Sequence, residues 1–321
     1  MTQKHIVLTG ATGNTGRVVA EELSRRGVPF VAMTRSAKHV ATLEACGIRT
    51  VFGDFDDPAS LVEALKGAEK AYLVCTPDHT LVRRETAFLQ AAKVAGVRHV
   101  VKCSAYMAGL DAETQNLRSH GAIERELRGS GLDYTILRPH AFMQTFTLMV
   151  WDMVQKADIV SFPGGDGAMP YVDVRDVAQV AVKALTEPGH EGKTYDLTGP
   201  EALTFHDLAA ILGRVLGRPI TYVPGKEGAF DLTMRLMGVT ATPREHVFKI
   251  ARMVREHRLD RVHSTLSDLG IEPTTYERFV RDLLAGKTGG GNSFVPPSAP
   301  VARALSAVMP VMMRLAVRLA A

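Results

Sequence analysis

The sequence predicts an α/β protein built on a doubly wound parallel sheet, and two observations support this prediction. In the first half of the chain, short β-branched apolar runs alternate with helical patterns, and Gly or Asp turns separate them. This alternation indicates βαβ units. The apolar runs are also continuous, which is typical of parallel strands covered by helices on both faces. The 321 residues, 46% of them apolar, are sufficient for such a core.

Six strands and five helices are predicted in order along this first half. The strands are His5–Thr9, Phe30–Thr34, Arg49–Phe52, Ala71–Cys75, His99–Cys103 and Tyr134–Leu137. The helices between them are Gly16–Arg26, Lys38–Ala45, Ala59–Leu65, Leu81–Ala95 and Gly121–Gly129. Residues 1–140 are therefore predicted to form one sheet-containing domain.

After residue 140 the alternation becomes irregular, and residues 141–286 are predicted to form a smaller, mostly helical substrate lobe, partly interleaved with the sheet. Asp173 and Thr204 are the predicted N-caps of two helices, and Gly217 is a predicted helix stop. The predicted elements are helices at Asp173–Glu187, Phe205–Leu216, Pro243–His257 and Tyr276–Ala285 and a strand at Thr194–Leu197.

The last part of the chain is predicted to be a linker and a tail. Residues 287–300 are rich in Gly, Pro and Ser, which is typical of a linker. Residues 301–321 form an apolar pattern in which Arg303, Arg314 and Arg318 fall on one side of a helix. Such a helix carries too much charge to span a bilayer, but it could lie on a membrane surface. Packing of its apolar face on this protein or on a second subunit is the other hypothesis, and an oligomer stays open with it.

Composition limits the classes of function. The net charge of +4 comes from Lys and Arg spread along the chain, so direct nucleic-acid binding is not predicted. Cys46, Cys75 and Cys103 have neither CxxC nor metal-ligand spacing, and the histidines form no HExxH motif, so no metal site is predicted. Free thiols, with neither a secretory signal nor a long uncharged apolar run, predict a cytoplasmic protein.

The strongest motif is TGATGNTG at residues 9–16, which follows the first strand and opens the first helix. Gly10 permits a tight turn, Gly13 lets the backbone approach a pyrophosphate, and Gly16 lets the helix pack closely. The helix N-terminus offers unpaired N–H groups to the phosphates. This context predicts the dinucleotide-binding fold known as the Rossmann fold. The predicted phosphate-binding residues are Gly10, Thr12, Gly13, Asn14, Thr15 and Gly16.

The end of the second strand predicts which dinucleotide is bound. An acidic residue there would bind the ribose 2′-OH of NAD, but this chain has Arg35. A guanidinium can hold a 2′-phosphate with two charge-assisted hydrogen bonds. NADP(H) is therefore predicted to be preferred over NAD(H), with a solvated arginine as the alternative. Further along the sheet edge, Asp54 is predicted to accept from the adenine amino group, with Phe55 against the ring. Thr76 and Pro77 follow the fourth strand at the same edge.

Several segments together resemble the NmrA-like branch of the extended, atypical short-chain dehydrogenase/reductases. They are TGATGNTG, Arg35, Gly53-Asp54, Ser104, HGAIE at 120–124, SGLDYTILRP at 130–139, YVDVRDVAQVAVKAL at 171–185 and GHEGKTYDLTGPEALT at 189–204. The resemblance is greatest to the group of NADPH-dependent quinone oxidoreductases, triphenylmethane-dye reductases and azoreductases. It covers about residues 4–285, and it implies a cofactor domain with a substrate cleft under the smaller lobe.

The resemblance also implies candidate catalytic residues. Where short-chain dehydrogenases have Tyr-x-x-x-Lys, this chain has His120 and Glu124, a pattern that NmrA-like reductases also carry. This argues against alcohol oxidation but permits reduction. His120 could donate a proton or a hydrogen bond to the acceptor, and Glu124, one turn away, is expected to orient it. A surface pair without catalytic consequence is the alternative.

Two hydroxyl groups complete the candidate set. Ser104 and Tyr106 are expected to contact the nicotinamide ribose or the substrate, unless they only satisfy loop backbone. Pro139 and His140 are expected to border the nicotinamide. The first hypothesis is NADPH-dependent hydride transfer to a quinone, dye or similar conjugated small molecule. The second is a non-catalytic NADP-binding redox sensor, and the third is a reductase or isomerase of a biosynthetic intermediate.

Overall fold

The computed structural model describes residues 5–236 and 238–287, and its centre is a seven-stranded sheet. The strands are β1 His5–Leu8, β2 Phe30–Thr34, β3 Thr50–Phe52, β4 Ala68–Leu73, β5 His99–Cys103, β6 Asp133–Pro139 and β9 Lys193–Leu197. All pairings are parallel, in the order β3-β2-β1-β4-β5-β6-β9. The order changes direction between β1 and β4, and the crevice at such a switch point, beyond the carboxyl ends of the strands, is where ligands bind in open α/β sheets.

Helices cover both faces of this sheet, which confirms the predicted doubly wound α/β class. One face packs against α1 (Asn14–Arg25), α2 (Ala37–Ala45), α7 (Val174–Thr186) and the short α11 (Thr265–Asp268). The other packs against α3 (Pro58–Leu65), α4 (Leu81–Ala95) and α5 (Gln115–Gly129). Val101 and Cys103 of β5 face the first group, whereas Val100 faces the second, because successive side chains of a strand alternate between faces.

The second half of the chain has more regular structure than the sequence predicted. Its own core packs around Phe146, Phe162, Tyr171 and Phe205. Its elements are α6 (Met143–Ala157), β7 (Ile159–Phe162), β8 (Ala168–Met169), β10 (Leu203–Thr204), α8 (Phe205–Leu216), β11 (Thr221–Pro224), α9 (Glu227–Leu236), α10 (Ala241–Arg255) and α12 (Tyr276–Leu284). Strands β8 and β10 pair antiparallel, and β7 and β11 pair parallel, outside the main sheet.

The predicted helix ends in this half are largely confirmed. Thr204 caps α8 in a reciprocal capping box with Asp207, and Gly217 ends that helix in the left-handed conformation. The Asp173 carboxylate accepts from the Arg175 amide at the start of α7. In the first half of the chain, by contrast, one predicted helix start is wrong. Helix α5 starts at Gln115 rather than at Gly121, because the Thr114 side chain caps the helix earlier in the chain than the apolar pattern indicates.

The predicted linker from residue 288 and the predicted tail at 301–321 lie outside the described residues. The membrane and subunit hypotheses for the tail therefore stay predictions. Within residues 5–236 and 238–287, every helix is too short or too polar to cross a bilayer.

Candidate active site

The glycine motif forms the turn between β1 and α1, at the carboxyl edge of the sheet. Gly10 has φ +64°, and a Cβ there would lie 2.6 Å from Val74 Cγ1. A Cβ on Gly16 would lie 2.2 Å from the Gly10 carbonyl oxygen, so α1 can start this close to the turn only with glycine. A Cβ on Gly13 would make a close contact of 3.3 Å with the Gly10 carbonyl oxygen, and beyond its chain neighbours it would have no other described atom within 4 Å. Apart from this one contact, the space next to Gly13 is open.

The first turn of α1 is available to an anion. Gly13 is the N-cap residue in an extended conformation, and within the described structure no side chain caps the helix. The amides at such an end lack intrahelical partners and carry the positive end of the helix dipole. The Thr12 hydroxyl lies 3.4 Å from His39 Nδ1 at the surface. The Thr15 side chain is buried, so of this residue only the amide can reach a ligand at the helix end.

Arg35 lies at the end of β2, more than half exposed, and its partner is a carboxylate from the next strand. Its Nη1 is 3.3 Å from both oxygens of Asp54 and 3.7 Å from Asp56. The Asp54 carboxylate also accepts from the Asp56 amide at 3.0 Å. Asp54, expected to accept from adenine, is thus already paired with the arginine expected to hold the 2′-phosphate.

A second group of charges continues this edge. Asp56 bonds Arg83 and Arg84, and Arg84 also reaches Asp78 at 3.1 Å. The two guanidinium groups hold the pKa of Asp56 well below its usual range. Phe55 is half-buried with its ring 5.8 Å from that of Phe88, while Thr76 and Pro77 are exposed. The predicted adenine and ribose contacts therefore follow one charged, accessible edge.

At the carboxyl end of β5, Ser104 joins a buried polar network. Its hydroxyl donates to Glu124 Oε1 at 2.6 Å. Arg138 donates to both oxygens of the same carboxylate, and Arg128 adds a contact at 3.1 Å. The prediction that Glu124 orients His120 is therefore wrong, because its oxygens are bound by Ser104 and these two arginines. The surface-pair alternative is wrong as well, since Glu124 is 1% and His120 8% exposed.

His120 has a different partner, the buried side chain of Lys102 on β5. Its Nδ1 lies 3.4 Å from Lys102 Nζ. Lys102 forms an ion pair of 2.9 Å with Glu85 of α4, and both side chains are fully buried. Burial, with the nearby Lys102 charge, holds the pKa of His120 well below its usual value. His120 is therefore neutral at neutral pH and can offer a hydrogen bond but not an imidazolium proton.

Tyr106 and two further histidines border the same edge. The Tyr106 ring lies 4.9 Å from that of His140, and its hydroxyl is 3.3 Å from His263 Nε2. Burial raises the pKa of Tyr106 and lowers that of His140 to about 4. Pro139 is buried at the end of β6, and its carbonyl oxygen accepts from the Tyr106 amide at 2.9 Å. The sequence-predicted residues Ser104, Tyr106 and Pro139 thus follow adjacent ends of β5 and β6.

Sequence reasoning missed Lys102, Glu85 and His263. The sequence contained a pattern that could have predicted the first two. A lysine inside the continuous apolar strand HVVKC is expected to be buried, and a buried lysine needs a carboxylate as its partner. His263 follows no regular element and reaches the site only through the fold of the second half, where its amide bonds the Thr198 hydroxyl at 2.9 Å. No local pattern marks it.

Comparison with known proteins gives a family and several related enzymes. The NmrA-like family model matches residues 2–279. The chain is 36% identical over 218 residues to the NAD(P)H azoreductase of Xenophilus azovorans, covering 68% of this chain and 76% of that one. Over the same coverage it is 41% identical to the (4-alkanoyl-5-oxo-2,5-dihydrofuran-3-yl)methyl phosphate reductase of Streptomyces griseus subsp. griseus. The solved NADPH-dependent quinone oxidoreductase of Escherichia coli, complexed with NADPH, superposes with TM-score 0.79 at 29% identity, covering 87% of this chain and 99% of that one.

Proposed function

We propose that this chain, which belongs to the NmrA-like family, is an NADPH-dependent oxidoreductase that transfers hydride to a quinone, dye or similar conjugated acceptor. The observation that carries the proposal is the uncapped start of α1 beside Gly13, on the same sheet edge as the network of Ser104, His120 and Tyr106. A phosphate-binding end and a cluster of hydrogen-bonding groups at one edge suit a bound dinucleotide and an acceptor above it.

The residues present fit NADP(H). We propose that a diphosphate lies beside Gly13 against the start of α1, and that the half-exposed Arg35 exchanges Asp54 for a 2′-phosphate, which the open side of Gly13 and the exposure of Arg35 support. No carboxylate stands at the Arg35 position to favour the free 2′-OH of NAD(H). We propose that Gly10, Thr12, Gly13, Asn14, Thr15 and Gly16 contact the pyrophosphate, and that Asp54, Phe55, Thr76, Pro77 and Pro139 border the remainder of the cofactor.

The chain's own side chains need only to bind the acceptor through hydrogen bonds and to supply a proton. When bound, NADPH supplies the hydride, and a quinone that accepts this hydride needs one further proton to become the hydroquinone. We propose that His120 donates a hydrogen bond to the acceptor and that Tyr106, with His263 behind its hydroxyl, supplies a proton. Ser104 already donates to Glu124, so it can present only its oxygen lone pairs to a ligand. Its role is to accept a hydrogen bond from the ribose or the substrate.

A second candidate substrate class is supported by the 41% identity to the Streptomyces griseus reductase. The name of that relative's substrate describes an unsaturated lactone that carries a phosphate. Such a ring is an electron-poor conjugated acceptor, as a quinone is. On this alternative the chain reduces a biosynthetic intermediate by the same hydride transfer, and the two candidates differ in the acceptor alone.

Loss of NADPH absorbance with purified protein tests the proposal. We expect turnover with a simple quinone, an azo dye or a triphenylmethane dye, and a slower rate in the Tyr106→Phe variant. Turnover of an unsaturated lactone phosphate alone would assign the alternative substrate class. Tight NADPH binding without turnover of any acceptor would contradict the proposal and favour a redox sensor.

Residues 301–321 could bring the protein to a membrane surface, where lipophilic quinones are found. Deletion of these residues should then release the protein from anionic vesicles in a sedimentation assay. Equal sedimentation of both forms would remove the membrane hypothesis, and a change in oligomeric state on deletion would support subunit contact.

A further inference from the structure

A fully buried ion pair lies directly beneath the candidate active site and has no part in the mechanism above. Lys102 of β5 and Glu85 of α4 are each 0% exposed, with Nζ 2.9 Å from Glu85 Oε2 and 3.2 Å from Oε1. Removing two charges from water costs several kcal/mol per ion unless every polar atom is matched. An apolar pair would fill the same space without this cost. The presence of a charged pair here, rather than two apolar side chains, therefore needs an explanation in terms of what Lys102 contacts.

Three acceptors surround the Lys102 ammonium group. They are the Glu85 carboxylate, the carbonyl oxygen of Cys103 and Nδ1 of His120. An ammonium group has three N–H donors and no lone pair, so each of these partners must accept. The imidazole nitrogen that faces Lys102 must then be the unprotonated one. In a neutral imidazole, this leaves the proton on Nε2.

We propose that Lys102 is a positioning residue that holds His120 in one neutral tautomer, with Nδ1 accepting from the ammonium and Nε2–H directed to the acceptor. Glu85 balances the lysine charge and fixes Nζ on the other side. The part of this inference that concerns catalysis rests on the proposed function. In this role His120 does not transfer a proton. It keeps a hydrogen-bond donor directed at the acceptor throughout, and this donor stabilises negative charge on the reduced acceptor.

The other groups around His120 support this assignment. His246 of α10 contributes a further nearby titratable group, and its own Nδ1 lies 3.0 Å from the Thr114 hydroxyl. Glu124, on the same helix as His120, is bound by Ser104, Arg128 and Arg138. The described groups around His120 therefore include a cation that opposes a second proton on its ring and no free carboxylate that would attract one.

Nitrogen-15 NMR of histidine-labelled protein tests the tautomer without any activity measurement. The His120 signals are assigned by their disappearance in the His120→Gln variant. We expect an unprotonated Nδ1 and a protonated Nε2, unchanged between about pH 5.5 and 8.5, which brackets the ordinary histidine pKa. A protonated Nδ1, or titration near the ordinary histidine pKa, would overturn the proposal.

Paired substitution of the ion pair tests the role of Lys102. The Lys102→Met/Glu85→Leu double variant removes both charges together and leaves neither one buried alone. We expect loss of the fixed tautomer and a higher His120 pKa in this variant. An unchanged His120 spectrum in the folded double variant would refute the positioning role, and the wild-type spectrum remains informative if the variant does not fold.

Two substitutions at position 120 separate the tautomer from the proposed function. Glutamine can present an oxygen to Lys102 and an N–H outward, as the proposed tautomer does, whereas His120→Phe can do neither. We expect kcat within about tenfold of wild type for His120→Gln and a loss of about 100-fold for His120→Phe, the loss typical of a removed oxyanion donor. Equal losses in both variants refute the donor role. No turnover in wild type, with the predicted NMR signals present, refutes the proposed function and leaves the tautomer standing.

Discussion

At the scale of single residues, Arg35 is expected to decide which dinucleotide the chain prefers. Its guanidinium is half-exposed and paired loosely with Asp54 at 3.3 Å. A 2′-phosphate offers more charge and a better bidentate geometry than this carboxylate. Because hydrogen bonds to charged groups contribute about 1.5–3 kcal/mol, Arg35→Ala should raise the Kd for NADPH about 10- to 100-fold. The Kd for NADH should change little, and calorimetry measures both.

Arg49 offers a matched control for this substitution. It is an exposed arginine just before β3, at the opposite end of the strand from the candidate site. Arg49→Ala should leave both dissociation constants unchanged. An NADPH constant that is the same in Arg35→Ala as in wild type would mean that Arg35 is a solvated side chain.

Single residues also show which features of the site can be predicted from the sequence. The location of Arg35 could be predicted, because a residue that directly follows a parallel strand lies at the edge of the sheet. The partners of Glu124 could not be read, since helical spacing puts His120 on the same face but does not say which neighbours each side chain finds. Arg138 comes from β6 and Ser104 from the end of β5, and only the sheet pairing brings them to Glu124.

At the scale of elements, two glycines of the β1–α1 turn should respond differently to the same change. A Cβ at Gly16 meets backbone atoms of Gly10 that cannot move away, so Gly16→Ala should displace α1 and lower the free energy of unfolding. A Cβ at Gly13 meets a single oxygen at 3.3 Å. That contact is tight but milder than the one at Gly16, so Gly13→Ala should lose less stability than Gly16→Ala, yet lose NADPH affinity about tenfold or more where the methyl meets the pyrophosphate.

Thermal unfolding and calorimetry on the same two variants separate these effects. The expected pattern is a large fall in Tm for Gly16→Ala, and a smaller fall in Tm with weak NADPH binding for Gly13→Ala. Full NADPH affinity in a well-folded Gly13→Ala protein would argue against a pyrophosphate at this turn.

The start of α7 gives a pH-dependent element. The buried Asp176 carboxylate accepts from the Thr274 amide at 2.8 Å and from its hydroxyl at 2.9 Å, which ties α7 to the segment before α12. Burial raises the pKa of Asp176 to about 6 from its usual 3.8. Between these values the folded chain holds a proton that the unfolded chain has lost. The contribution of Asp176 to the free energy of unfolding should therefore fall by about 3 kcal/mol as the pH rises from below about 4 to above about 6.

Asp176→Asn removes this titration while keeping an oxygen for the Thr274 amide. Its unfolding free energy should lack this contribution to the slope between about pH 4 and 6, as measured by urea denaturation at several pH values. Asp152→Asn, at an exposed surface pair with Lys156, is the control and should keep the wild-type slope. A wild-type slope in Asp176→Asn would assign the pH dependence to other groups.

At the scale of the whole molecule, the sequence predicted the sheet well, whereas in the second half it predicted four helices and one strand correctly and missed the other elements, for a physical reason. Each βαβ unit buries its own apolar run against a neighbouring helix, so local patterns suffice for strands such as β2 and β5. Strand β7 instead pairs with β11, far along the chain (Ile159 with Thr221), and their side chains Phe162 and Tyr222 are buried in the core of the second half. Such short, distant pairs leave no local periodicity. Helix α6 was missed for a related reason, since its apolar residues follow an irregular loop without a capping side chain.

Because α7 and β9 return to the main sheet from the second half, we expect the chain to unfold in one transition that a bound cofactor shifts as a whole. The proposed NADPH contacts extend from Arg35 after β2 to Pro139 in β6. A ligand that binds the folded chain alone, at one hundred times its Kd, adds about 2.7 kcal/mol of stability. For a chain of this size that corresponds to a rise in Tm of about 5 °C.

Differential scanning fluorimetry should show this rise with NADPH, a smaller one with NADH at the same concentration, and no difference between the two cofactors in Arg35→Ala. Equal shifts with both cofactors in the wild-type protein would contradict the preference for NADPH, and separate transitions would contradict the interleaving of the two halves.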